Sequence, residues 1–260
     1  MTPPKLNTLI LSRQAGIASA EPARVSGDSR PTFVLLHGWQ SDLRAMEVLG
    51  DLLSASGTVH LIDLPGFGRS AMHDGTWGTP EYAACVLAYC REQGLSRVVI
   101  VGHSFGARLA IRLAHGHPAL VSALVLIGAA GLQPVGWPRV RRGMKRFLNR
   151  FLKRKFASRD YLNAGNLRQT LVKTVSEDLA PLAAEVQAPA LLLYGEQDDE
   201  TPPSVGRRYH QLLKNSRFVG LEGKGHFPFA GTGAALCTCH ILEFLSMRQA
   251  DSTVTEGASC

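Results

Sequence analysis

The sequence predicts an α/β chain: a mostly parallel, doubly wound sheet with a small helical cap inserted into it. Three observations carry this. Short runs of β-branched and aliphatic residues alternate with amphipathic stretches at helical spacing, the pattern of a parallel sheet covered on both faces. One run, Val98–Val101, leads into Gly102-His103-Ser104-Phe105-Gly106 and then Ala107–Ala114, whose apolar residues recur at helical spacing. The alternation then breaks between Gln133-Pro134 and Pro189-Ala190, about 50 residues that read as helical.

Taken in order, residues 6–11 and 16–25 alternate weakly, and an opening antiparallel hairpin is expected. Phe33–Leu36 reads as a buried strand running into His37-Gly38-Trp39. Asp42 caps a helix to about Ala55, Thr58–Ile62 is the next strand, and Asp63–Ser70 is a Gly/Pro-rich loop. Thr79-Pro80 reads as a cap followed by a first-turn proline, opening a helix that ends near Gly94. After the Ser104 strand and helix come strands at Ala123–Gly128, Ala190–Tyr194 and Ser216–Leu221, and a last helix over Gly233–Met247. The organisation expected is a core of residues 1–133 and 187–247, a cap of 134–186, and a frayed tail from 248 to 260.

Composition bounds the function. At 260 residues and 45% hydrophobic composition, one α/β domain with an insertion buries a sizeable core. No apolar run reaches membrane-spanning length and no signal peptide is visible. Five cysteines without a paired Cys-x-x-Cys set fit neither a disulfide framework nor a zinc site, and a reducing cytoplasm is the expected compartment. Cys237 and Cys239 are expected to be packing residues of a helix. The formal charge of +7 is local: nine of the 28 basic residues lie between Arg139 and Lys155 with no acidic one, leaving 19 basic against 21 acidic elsewhere.

Within the Gly-x-Ser-x-Gly turn, a strained backbone lifts Ser104 clear of its neighbours, and the helix N-terminus behind it presents unpaired N–H groups to an oxyanion. A serine needs a base, and the base an orienting acid. His226, in Gly223–Pro228 after the last strand, is the base; His103 belongs to the turn and faces away. The acid lies in Gly195–Pro202, where four carboxylates compete and spacing leaves Asp198 and Asp199 level. A structural alternative is that Asp199 or Thr201 caps the following helix. Asp63 is expected to organise its loop, and His60 to be satisfied locally.

These motifs together, His37-Gly38-Trp39, Asp63-x-Pro65-Gly66-x-Gly68-x-Ser70, Gly102-x-Ser104-x-Gly106, Gly195-Glu196-x-Asp198 and Gly225-His226, resemble the serine hydrolases of the α/β-hydrolase fold over residues 30–247. The resemblance implies Asp198 as the acid. It implies the Trp39 and Phe105 backbone N–H groups as oxyanion donors. It implies acyl transfer through Ser104 with no metal or organic cofactor, and cleavage of small to medium carboxylic esters. Ser104 speaks against the dehalogenases and epoxide hydrolases of the fold, which carry aspartate there. Phe227, where carbon–carbon bond hydrolases often carry tryptophan, weakens that assignment. Alternatives on the same machinery are a thioesterase, a lactonase, a carrier-protein methyl-ester esterase or a C–C hydrolase; a non-turnover ligand receptor is the alternative of a different class.

In the basic segment, Val140, Met144, Phe147, Leu148, Phe151 and Leu152 form an apolar helical stripe, and Arg141, Arg142, Lys145, Arg146, Arg150, Lys153 and Arg154 lie opposite. The plain expectation is a helix roofing the site with solvated charges. The sharper one is a face for an anionic partner, either an acidic carrier protein or a membrane surface. Nucleic acid is not expected, because the segment lacks aromatic interleaving for base stacking.

Overall fold

The structure is a computed structural model that describes residues 4–13, 30–133 and 163–256. The basic segment 139–155 and residues 16–25 lie outside the described residues. Seven strands form one sheet: β1 (Thr8–Leu11), β2 (Thr32–Leu36), β3 (Thr58–Ile62), β4 (Val98–His103), β5 (Val121–Ile127), β6 (Ala190–Gly195) and β7 (Ser216–Leu221), in spatial order β1-β3-β2-β4-β5-β6-β7. All pair in parallel except β1, which runs antiparallel along β3. β1 pairs with β3 across the chain, Thr8 opposite Ile62; the second half of the expected opening hairpin, residues 16–25, lies outside the described residues. Four residues gain more from the edge of a six-stranded sheet than from a marginal two-stranded ribbon.

Strands β2 to β6 are buried on both faces because each projects alternate side chains into two cores. Val34 and Leu36 join one core with Val86, Leu109 and Tyr209. Phe33 and Leu35 join the other with Leu49, Leu53, Ile241 and Phe244. The first core is covered by α2 (Thr79–Glu92), α3 (Phe105–Gly116), α5 (Ala180–Glu185) and α6 (Pro203–Leu212), the second by α1 (Glu47–Leu53) and α7 (Gly233–Glu256). The chain is therefore doubly wound, as expected.

A short 3-10 turn (Leu43–Met46) precedes α1. Asp42 starts it, its Oδ1 accepting from the Arg44 N–H at 3.0 Å. Thr79 does not cap α2. Gly78 takes that position, its N–H donating to Glu81 Oε2 at 2.6 Å, and the Thr79 hydroxyl turns to Glu177 and Arg112 instead. The last helix continues past Met247 to Glu256, where a frayed tail was expected; the chain from Arg248 to Glu256 contains neither glycine nor proline to stop it. Cys237 is buried as expected, but Cys239 is exposed. Among the described residues no helix is long and apolar enough to cross a membrane.

Between β5 and β6 the described residues hold two helices and no strand: α4 (Asn163–Ser176) and α5. Two arginines of α3 fasten this returning chain. Arg108, 7% exposed, donates to the Thr174 carbonyl at 2.6 Å, closing the carbonyl end of α4 where positive charge is favourable. Arg112 pairs with Glu177.

Candidate active site

The centre of the site is the turn between β4 and α3. Ser104 has φ +49°, a left-handed backbone that side-chain-bearing residues adopt only when their surroundings enforce it. The enforcement is backbone and packing. The Ser104 N–H donates to the Ile127 carbonyl at 3.0 Å, and its own carbonyl accepts from Ala130 at 3.4 Å. A Cβ on Gly106 would stand 2.1 Å from the Leu36 carbonyl oxygen, and one on Gly102 2.6 Å from the Ala107 Cα, so strand and helix can cross this closely only at glycine. Phe105 is the first residue of α3, where N–H groups have no partner within the helix. Trp39, after β2, packs its ring edge-on against Phe105 at 5.1 Å and against Phe67 at 5.0 Å. Trp39 and Phe105, the residues expected to supply the oxyanion donors, thus pack ring against ring, with Phe105 next to Ser104 in the chain.

The second half of the site lies two and three strands over, after β6 and β7. Asp198, 3% exposed, follows β6, and its Oδ2 stands 2.9 Å from His226 Nδ1. Asp198 Oδ1 accepts from the Glu200 and Thr201 N–H groups, each at 2.9 Å. Thr201 Oγ1 lies 2.8 Å from Asp198 Oδ2, 2.9 Å from the Gly128 carbonyl and 3.2 Å from His226 Nδ1. Its one proton serves a single acceptor at a time. Burial raises the Asp198 carboxyl, but the hydrogen bonds from His226 and Thr201 outweigh it and hold the group below the usual carboxylate range. An ionised Asp198 keeps the proton of neutral His226 on Nδ1.

Of the four competing carboxylates, then, the fold sets Asp198 against His226. Asp199 is exposed. Helix α6 begins without a side-chain cap, and Thr201 is turned inward rather than capping it. Asp63 accepts from Asn7 Nδ2 at 2.7 Å and from the N–H groups of Leu43 and Arg69, both at 2.8 Å, tying its own loop together. His60 is paired locally with Tyr89 at 2.8 Å, and burial lowers it to about 4. His37 Nδ1 donates to the Gly38 carbonyl at 2.7 Å while Nε2 accepts from the Leu64 N–H at 3.0 Å; burial lowers its pKa and keeps the ring neutral.

Three residues join the site in positions the sequence did not assign them. His103 is buried, which pushes it down to about 3, and its Nε2 donates to the His226 carbonyl at 2.8 Å. Thr201 braces the Asp198–His226 pair. Glu200 places Oε2 3.6 Å from His226 Nε2. Among the described residues, no hydrogen bond joins the Ser104 hydroxyl to His226. Such contacts often tighten only when substrate is bound.

Strained serine, helix N-terminus and buried carboxylate–imidazole pair at one edge of a parallel sheet define a hydrolase. Residues 33–237 match the Alpha/beta hydrolase family, and the chain belongs to it. It is 28% identical over 254 residues to a pimeloyl-[acyl-carrier protein] methyl ester esterase of Vibrio atlanticus, spanning 82% of this chain and 94% of that one. It is also 28% identical over 253 residues to the protein of the same description from Edwardsiella ictaluri, spanning 85% and 96%. The fold is shared with the enol-lactonase from Burkholderia xenovorans, at TM-score 0.69 and 22% identity over 93% of this chain and 96% of that one. A thermophilic esterase from Thermogutta terrifontis has the same fold, at TM-score 0.69 and 19% identity over 93% of each chain.

Proposed function

We infer that the protein is a serine esterase that cleaves carboxylic esters of small to medium acyl chains through an acyl-enzyme on Ser104. The observation that carries this is the strained Ser104 on the same sheet edge as the 2.9 Å Asp198–His226 pair. Ser104 attacks the ester carbonyl as His226 Nε2 takes its proton, and Asp198 stabilises the imidazolium. The Trp39 and Phe105 N–H groups receive the oxyanion, each contributing about 3 kcal/mol. His226 then returns the proton to the departing alcohol. The same base draws a proton from water, whose oxygen attacks the acyl carbon and frees Ser104. Every step uses side chains and backbone of this chain, with no metal or organic cofactor.

Residues 134–186 act as a cap over a core of 1–133 and 187–247. The described part supports this: α4 and α5 interrupt the strand alternation, and Leu167 of α4 packs into the core that holds Phe67 and Phe105. Within the ester class, a methyl ester carried on an acidic carrier protein is the favoured substrate. The description of the two relatives supports it, and so does the nine-charge segment 139–155. The free thiols of Cys85, Cys90, Cys237 and Cys239 fit a reducing cytoplasm.

Hydrolysis of p-nitrophenyl acetate and butyrate by the wild type, and its loss by about 10⁶ in kcat in folded Ser104→Ala and His226→Ala, is the expected result. Activity retained in folded Ser104→Ala overturns the mechanism. Exposed charges are screened beyond roughly 8 Å at physiological salt. Turnover of a carrier-borne methyl ester therefore falls as salt rises, and that of the free methyl ester does not. Equal salt responses return the basic segment to a solvated roof.

A further inference from the structure

We propose that Glu200 selects substrates by the charge on the alcohol half of the ester, favouring neutral and cationic alcohols and rejecting anionic ones. The proposal rests on the esterase reading above and concerns the half of the substrate that the nucleophile does not hold.

Both ring nitrogens of His226 face a carboxylate. Asp198 Oδ2 meets Nδ1 at 2.9 Å and Glu200 Oε2 meets Nε2 at 3.6 Å. The two carboxylates are not equivalent. Asp198 is enclosed by the N–H groups of Glu200 and Thr201 and the Thr201 hydroxyl. The Glu200 side chain, 18% exposed, looks out past the ring. The direction of Glu200 is set by the same turn: with its N–H bound to Asp198 Oδ1, residue 200 crosses to the far side of the imidazole. With the Nδ1 proton donated to Asp198, Nε2 of the neutral ring carries a lone pair. At 3.6 Å the lone pair and the Glu200 oxygen share no proton, so Glu200 is not a second orienting acid.

What Glu200 faces is the exit of the leaving group. Nε2 hands its proton to the alkoxide oxygen, which must come within hydrogen-bond reach of that nitrogen. The carbons attached to that oxygen, and any charge they bear, then lie within a few ångströms of a fixed negative charge in a partly desolvated cleft. An anionic alcohol half meets repulsion there, a cationic one attraction, and a methyl group neither. The acyl half lies on the other side of the reacting carbon, toward Ser104 and the aromatic group of Trp39, Phe67 and Phe105.

The test uses three butyrate esters that differ only in the alcohol: 3,3-dimethylbutanol, its cationic isostere choline, and the anionic 3-sulfopropanol. Hydrolysis is followed by pH-stat at low salt with the full chain. The wild type turns over the choline ester with about tenfold higher kcat/KM than the sulfopropyl ester, the scale of one charge pair a few ångströms apart in a partly solvated site, and the difference lies in KM. In Glu200→Gln the ratio falls to near one, in Glu200→Lys it inverts, and in Glu196→Gln, which removes an equal charge from the same loop, it stays as in the wild type. A wild-type ratio near one, or a ratio unchanged in Glu200→Gln and Glu200→Lys, overturns the proposal while leaving the esterase intact. Failure of the wild type to hydrolyse any of the three overturns the esterase reading, and this proposal with it.

Discussion

The two halves of the site are held in place by different physics. Ser104 is fixed by sterics and backbone: φ of +49°, two main-chain hydrogen bonds, and glycines beside it that admit no Cβ. Nothing in that list titrates. Asp198 and His226 are fixed by polar contacts in two loops, through Thr201, the Glu200 N–H and His103. A nucleophile that must stand in a costly conformation suits rigid support, because strain persists only where the surroundings over-determine it. A pair that exchanges a proton suits adjustable support, because hydrogen bonds set its proton affinities.

Asp198→Asn probes the adjustable half most severely. It reverses the preferred tautomer of His226 and lowers kcat by about 10⁴ without moving the elbow, whereas Asp199→Asn is mild; steady-state kinetics of the two variants decide the matter, and the reverse ranking moves the acid by one position. On the rigid half, Gly106→Ala forces a methyl against the Leu36 carbonyl and costs about 3 kcal/mol of stability, read as a lower urea midpoint that does not change with pH between 5 and 8. Thr201→Val gives the smallest effect, about tenfold in kcat, the size of one hydrogen bond to a charged group. It also carries a pH signature. The folded Asp198 carboxyl lies below its ordinary value, so its contribution to stability is present above the unfolded value near 3.9 and is lost as pH falls through the folded one. Without Thr201 the folded value moves up and that contribution shrinks. The stability gap between Thr201→Val and wild type is therefore larger at pH 7 than at pH 2.5 by urea unfolding, and a gap independent of pH removes Thr201 from the charge network.

The elbow was legible in sequence because its demands are local: a buried strand, two glycines and a helix between Val98 and Ala114. Asp198 was reached only through resemblance. Within Gly195–Thr201, four acidic side chains look alike, and the turn that sends Asp198 to Nδ1 and Glu200 to Nε2 depends on hydrogen bonds to Thr201 and His226 that no spacing encodes. Thr79 misled for a similar reason. Thr-Pro is a sound local helix start, but Glu177, 98 residues away, takes the hydroxyl, and glycine serves as cap in its place. The first strand was placed by its alternation, but its pairing with β3, Thr8 opposite Ile62, left no mark in the sequence, because register partners that far apart are joined only by the fold.

The hydrogen bond from His103 Nε2 to the carbonyl of His226 has a consequence for motion. His103 immediately precedes Ser104, so the loop carrying the imidazole is tied to the strand carrying the hydroxyl as well as to the Gly195–Thr201 turn, where the Gln197 N–H donates to the Lys224 carbonyl at 2.8 Å. Because burial keeps the His103 ring neutral down to about pH 3, ordinary acidification does not change its tautomer. A displacement of the 222–230 loop therefore pulls on the strand end next to Ser104, so the imidazole and the hydroxyl share one mechanical link through His103.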